Sequence, residues 1–137
     1  MTGLVVCVAV LVVAGAFGVL HKRRSGRVRV RGRDGDKRLD AAELGGDLGE
    51  RATLVQFSSA FCAPCRATRR ILGEVAGMVP GVVHVEIDAE ARLDLVRALE
   101  ILKTPTVLVL DADGRVVRRA TGQPRKADVI AALGEAV

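Results

Sequence analysis

The stretch Ser58-Ser59-Ala60-Phe61-Cys62-Ala63-Pro64-Cys65-Arg66 joins two different periodicities. Upstream, Thr53 to Phe57 is a compact apolar run of strand character; downstream, Ile71, Leu72, Val75, Ala76 and Met78 recur at helical spacing. Cys62 therefore falls where a strand hands over to a helix. At a helix start, unpaired backbone N–H groups and the positive end of the helix dipole favour a thiolate. Two intervening residues put the thiol of Cys65 within reach for ring closure, so the pair is a candidate redox centre.

Working outward, the spacing predicts a helix from Cys65 to Val79, stopped by Pro80-Gly81, and then a strand over Val82 to Ile87 rich in β-branched residues. Strand, helix and strand in this order form a right-handed parallel unit. A second helix comes next over Ala91 to Leu102 with Leu93, Val96 and Leu99 inward, then a strand over Thr106 to Leu110. Asp111-Ala112-Asp113-Gly114 reads as a turn, Arg115 to Thr121 as the returning strand, and Pro124 to Val137 as a closing helix presenting Val129, Ile130 and Leu133. The fold class is α/β, a central mixed β-sheet with helices on both faces.

Toward the N-terminus, Asp40 and Glu43 have the spacing of a capping box opening a short helix that Gly45, Gly46 and Gly49 weaken. Val28 and Val30 alternate with Arg27, Arg29 and Arg31, the pattern of a short edge strand guarded by charge, and Gly32 to Asp36 reads as a turn. Residues 3–20 carry no charge and end at His21-Lys22-Arg23-Arg24. As a helix they measure roughly 27 Å, just enough for a hydrocarbon core of about 30 Å. One transmembrane helix over residues 1–21 is the reading, with residues 3–20 against lipid. A cleaved secretory signal competes, but no Lys or Arg precedes the apolar run. The basic residues after the span place residues 21 onward on the cytoplasmic side of the cell membrane, in a single-pass arrangement. Cys7 is an apolar filler in the span.

The net charge of +5 is concentrated. Residues 22–38 hold nine Lys and Arg against Asp34 and Asp36, leaving twelve bases and fourteen acids in residues 39–137. A basic juxtamembrane linker accounts for this better than nucleic-acid binding, through contact with anionic headgroups or as a solvated topogenic tether. With 137 residues there is room for one ordinary domain, over residues 39–137. Three Phe and no Trp or Tyr leave its core to Val, Leu, Ile and Ala. A structural zinc site wants four ligands, and the sequence offers no second cysteine pair and only His21 and His84, so metal binding is not the expected use of Cys62 and Cys65.

With this order of elements, the segment from about Arg51 to Val137 resembles a thioredoxin. The resemblance rests on the strand ending in Phe57, the run from Phe61 to Arg66, the strand ending Val85-Glu86-Ile87-Asp88, the Thr104-Pro105-Thr106 step, the Asp113-Gly114 hairpin and Gly122. It implies that Cys62 attacks a substrate disulfide and that Cys65 resolves the mixed disulfide, leaving a Cys62–Cys65 disulfide and requiring no bound cofactor. It also implies a cis Thr104–Pro105 bond facing the cysteines, with Phe61, Ala63, Pro64, Thr104 and Pro105 supporting substrate binding. Partners would be protein disulfides or dithiols, recharged by an external donor such as a thioredoxin reductase or another dithiol protein.

Four positions depart from the family pattern. Gln56 stands six residues before Cys62, where thioredoxins place a buried aspartate that assists the second thiol's proton, and a neutral amide cannot accept it. Phe61 replaces the usual tryptophan, and Ser58 a second aromatic residue. His84 stands where a lysine is common, beside Gln56, and a histidine titrating near neutrality could take over the proton relay; the alternative is a half-exposed strand histidine bonded to Gln56 or solvent. Arg66, Arg69 and Arg70 form either a solvated helix face or an attraction for acidic partners. Two function classes fit these residues: a membrane-anchored thiol–disulfide oxidoreductase, or a scaffold of the same fold holding a membrane or disulfide-bearing partner with little turnover.

Overall fold

The computed structural model describes residues 1–24, 28–29 and 37–137. Among the described residues, the elements run in the order α1 (Thr2–Arg24), β1 (Val28–Arg29), α2 (Ala41–Leu44), β2 (Ala52–Ser58), α3 (Ala63–Met78), β3 (Val82–Asp88), α4 (Leu93–Ala98), β4 (Thr106–Asp111), β5 (Val116–Thr121) and α5 (Lys126–Ala136). The sheet order is β1-β5-β4-β2-β3, with β2 and β3 parallel and the other pairings antiparallel.

β2 is central, and all seven of its residues are buried, the polar Thr53, Gln56 and Ser58 among them. Its side chains alternate between two cores. Ala52 and Leu54 pack with Leu72 and Val75 of α3, Val107 and Val109 of β4, and Val129, Ala132 and Leu133 of α5. Val55 and Phe57 enter the opposite core with Leu39, Leu44, Leu95, Leu99, Ile101 and Leu108. Each fully buried Leu or Val contributes roughly 1.5–3 kcal/mol, so the two layers compensate for the scarcity of aromatic residues.

α3 starts on Cys62 as its N-cap and carries Pro64 in its first turn, where a missing N–H costs nothing. It ends at Val79, held extended at φ −115° by the following Pro80. The capping box of α2 forms: the Glu43 amide donates to Asp40 Oδ1 at 2.8 Å, and the Asp40 amide donates to Glu43 Oε2 at 3.3 Å. In the turn after β4, Asp111 Oδ1 accepts from the amides of Asp113 and Arg115, and Gly114 takes φ +81°, so this turn is as expected.

Several expectations need correction. α4 is six residues long, not twelve, because Glu100 takes φ +54° and the Ile101 amide bonds back to the Val96 carbonyl, closing the helix and burying Ile101. That shorter helix presents Leu95, not Leu93, to the core, and Leu93 is exposed. Met78 and Ile130 also lie on outer surfaces, with Thr68 and Ala132 facing inward on their helices. Arg119, a charged residue in a strand expected to be ordinary, is buried and donates to the Leu99 carbonyl at 2.7 Å and the Glu100 carbonyl at 3.4 Å, covering the C-terminal end of α4.

The edge strand expected at Val28 and Val30 is present as Val28–Arg29, paired with Ala120 and Arg119; Val30 and the turn at Gly32 to Asp36 lie outside the described residues. Farther along β5, the Val116 amide donates to the Lys37 carbonyl and Arg38 bridges Arg115. α1 buries none of its surface, and it is long and apolar enough to cross a membrane; a secretory signal meets the same test.

Candidate active site

The parity of β2 decides what lies beneath the cysteines. Gln56 shares the face of Ala52 and Leu54, the α3 face, and its side chain ends under the first turn of α3. Cys62 caps that helix: its Sγ accepts the Cys65 amide at 3.2 Å, and Cys62 and Cys65 form a disulfide. The two sulfurs are not equivalent, since Cys62 is partly exposed and Cys65 is 1% exposed.

Gln56 Nε2 donates to the Cys65 carbonyl at 2.8 Å and to Ser58 Oγ at 2.9 Å. Because a carbonyl can only accept, the amide oxygen must be the end that meets His84 Nε2, at 3.0 Å. His84 is then the donor in that bond, and in the neutral ring Nδ1 carries the free lone pair. Ser58 Oγ donates onward to Glu86 Oε2 at 3.3 Å, and Arg69 Nε donates to the same carboxylate oxygen at 2.8 Å. Burial, partly opposed by the Glu86 carboxylate and reinforced by Arg69, holds the His84 imidazole below its ordinary 6.5. Gln56 and His84 are thus brought together, as their neighbouring strands require. Gln56 touches the backbone of Cys65, and its amide has no free proton-accepting group to offer the sulfur.

Opposite the helix, the Thr104–Pro105 peptide bond is cis. Ser59 Oγ and Thr104 Oγ1 are 2.7 Å apart, tying the loop before Cys62 to the loop before Pro105. The Gly122 amide donates to the Pro105 carbonyl at 2.8 Å, fastening the same loop to the end of β5, and Thr106 Oγ1 donates to the Lys103 carbonyl at 2.6 Å. Ala63 and Pro64 are exposed on the outer side of the disulfide.

Phe61 is fully exposed and has φ +58°. A bulky residue in the left-handed region is strained by about 1–2 kcal/mol, and its ring is not buried in return. Leu102, 88% exposed, adds a second apolar side chain on the segment leading to Pro105. Sequence reasoning passed over Ser59, Leu102 and Arg119. Ser59 and Leu102 lay unmarked in segments assigned as loop and helix, and only the early end of α4 puts Leu102 outward.

A partly exposed sulfur capping a helix, a buried sulfur one turn behind it, and a fastened loop tied to the segment before them define a thiol–disulfide oxidoreductase. A family model described as Thioredoxin matches residues 42–135, and the chain belongs to the thioredoxin family. The thioredoxin of Mycolicibacterium smegmatis is 29% identical over 90 residues, covering 64% of this chain and 80% of that protein. Thioredoxin domain-containing protein 2 of Mus musculus is 35% identical over 60 residues, which is 44% of this chain and 12% of that protein. In fold, the chain is similar to a mutant thioredoxin from Halobacterium salinarum NRC-1, with a TM-score of 0.58 at 18% identity over 64% of this chain and 75% of that one.

Proposed function

We propose that this protein is a membrane-anchored thiol–disulfide oxidoreductase in which Cys62 is the nucleophile and Cys65 the resolving thiol. The observation that carries the assignment of roles is the asymmetry of the pair. Cys62 Sγ sits at the start of α3, accepting the Cys65 amide, while Cys65 is buried behind it. A thiolate at Cys62 gains from that N–H and from the helix dipole, and is open to substrate.

In the reductive direction, the Cys62 thiolate attacks one sulfur of a substrate disulfide, forming a mixed disulfide and releasing the other sulfur as a thiolate. Cys65 gives up its proton and attacks Cys62 Sγ, which releases the second substrate sulfur and forms the Cys62–Cys65 disulfide. The substrate gains two electrons and the pair loses two, to be restored by an external dithiol. Gln56 holds the Cys65 carbonyl and cannot accept the thiol proton, so solvent or a substrate thiolate takes it. His84, with its proton committed toward Gln56, acts on the site through the amide. Phe61, Ala63, Pro64, Thr104 and Pro105 form the surface on which an extended substrate segment lies. Residues 3–20 span the membrane, residues 22–38 link to the domain over residues 39–137, and the basic residues after the span favour a cytoplasmic domain.

The test is reduction of a soluble protein disulfide by the full chain in detergent, with a chemical dithiol as donor. Wild type turns over, Cys62→Ser is inactive, and Cys65→Ser accumulates mixed disulfides. Partner binding indifferent to both substitutions, without turnover, would establish the scaffold reading instead.

A further inference from the structure

The sheet register places the membrane attachment on the same edge as the redox pair. Val28 opposes Ala120 of β5, Ala120 opposes Val107 of β4, and Val107 opposes Gln56 of β2. One step farther along each strand lie Thr121 and Thr106, flanked by Gly122 and Pro105; two steps beyond Gln56 lies Ser58, where β2 gives way to the cysteine loop. Because β1 runs antiparallel to β5, the chain coming from α1 enters the sheet at this edge. At about 4.8 Å per strand, Val28 is roughly 10 Å from β4 and roughly 14 Å from β2.

Only three residues separate Arg24 at the end of α1 from Val28. A chain of that length reaches at most about 14 Å even when fully extended. The chain is fastened to the sheet again at Lys37, Arg38 and Leu39, the last through its amide to the Gly114 carbonyl, so release of Val28–Arg29 would lengthen the tether to residues 25–36 at most. The exposed side chains of Phe61, Leu102, Arg66 and Lys103 occupy this edge or the loops that extend it.

Resting on the membrane-anchored redox reading above, we propose that the active-site edge faces the bilayer at short range, and that the substrates are disulfides in membrane-proximal segments of other membrane proteins. A tether attached at the opposite edge, or one of several tens of residues, would let Cys62 sweep a wide volume. The attachment seen here concentrates it close to the surface, where a juxtamembrane disulfide meets a high effective concentration.

The experiment uses the full chain reconstituted in phosphatidylcholine vesicles with a single-span reporter carrying a disulfide either 5 or 50 residues from its span. Recycling is by a chemical dithiol, and a soluble peptide disulfide is measured in parallel. We expect the near disulfide to be reduced at least tenfold faster than the far one. A flexible 20-residue insertion between Ser25 and Gly26 should bring the two rates within about threefold while leaving the soluble rate unchanged. Equal near and far rates in wild type, or a preference indifferent to the insertion, with the soluble disulfide still reduced, would overturn this inference alone. Failure to reduce the soluble disulfide would overturn the redox reading and this one with it, whereas release of the chain from the vesicles by alkaline washing would overturn the membrane anchor and this inference while leaving the redox reading standing.

Discussion

The Gln56 amide nitrogen lies 2.8 Å from the Cys65 carbonyl oxygen, so a neutral side chain fills the buried position beneath the resolving thiol. This amide bonds to the backbone of Cys65 and braces the first turn of α3. It leaves the proton of Cys65 without an adjacent carboxylate.

Replacing Gln56 by Asp should therefore separate stability from rate. The substitution removes the donor to the Cys65 carbonyl and Ser58 Oγ and buries a carboxyl group, at a cost of about 1–3 kcal/mol. The new carboxylate can take the thiol proton, so resolution of a preformed mixed disulfide should accelerate several-fold near neutral pH. Stopped-flow measurement of that step, beside denaturant unfolding, checks both; a destabilised protein with an unchanged rate would mean proton removal is not limiting.

His84 should make the fold weaken as the pH falls below its ordinary 6.5. Its folded value is depressed by burial, so between that value and 6.5 the unfolded chain binds more protons than the folded one. The stabilisation is complete above 6.5, declines as pH drops through the window, and levels off once the folded histidine also protonates. His84→Gln should flatten this decline, measured as the urea midpoint from pH 7.5 to 5. With the His84 proton committed toward Gln56, the same variant should leave the pH profile of disulfide reduction unchanged; a flattening between about pH 6 and 8 would show that His84 takes a proton from Cys65.

Phe61 combines full exposure with φ +58°, so its replacement by Gly removes strain without losing core packing. Left-handed strain of about 1–2 kcal/mol is relieved against a glycine entropy cost of about 0.5–1 kcal/mol. A net stabilisation of up to about 1.5 kcal/mol is expected in thermal unfolding. Loss of the ring beside Cys62 should raise KM for a protein disulfide several-fold while leaving reaction with a small disulfide little changed.

Arg119 should prove structural. Its guanidinium covers the Leu99 and Glu100 carbonyls, so Arg119→Met leaves buried acceptors unpaired at a cost of about 2 kcal/mol. For a domain of this size that lowers Tm by roughly 10 °C. The loop from Ile101 to Pro105 begins at this cap, so reduction of protein disulfides should weaken before unfolding begins.

Much of the architecture is present in local patterns. The compact, largely apolar run of β2, the helical spacing of Leu72 and Val75, the Asp40 capping box and the Asp113-Gly114 turn each express a short-range rule, and short-range rules survive in the primary structure. The cysteine spacing and the strand-to-helix junction are of the same kind, and so pointed to the redox pair. α4 failed because its end depends on where Ile101 finds a core to enter, which the spacing of Leu93, Val96 and Leu99 does not encode.

What only the tertiary structure decided are relations between strands. That Gln56 donates to Cys65 and accepts from His84 results from β2 and β3 lying side by side under α3, and the polarity of that chain of bonds is set by a backbone carbonyl at its end. That Ser59 meets Thr104, 45 residues away, depends on β2 and β4 being paired. That the chain from α1 joins the sheet at the active-site edge depends on β1 running antiparallel to β5. The sequence by itself determined the cysteine pair and the succession of elements, through periodicity and spacing. The surroundings of that pair, and the end of the sheet at which the chain from α1 enters, arose from strand register, which depends on the packing of the whole sheet.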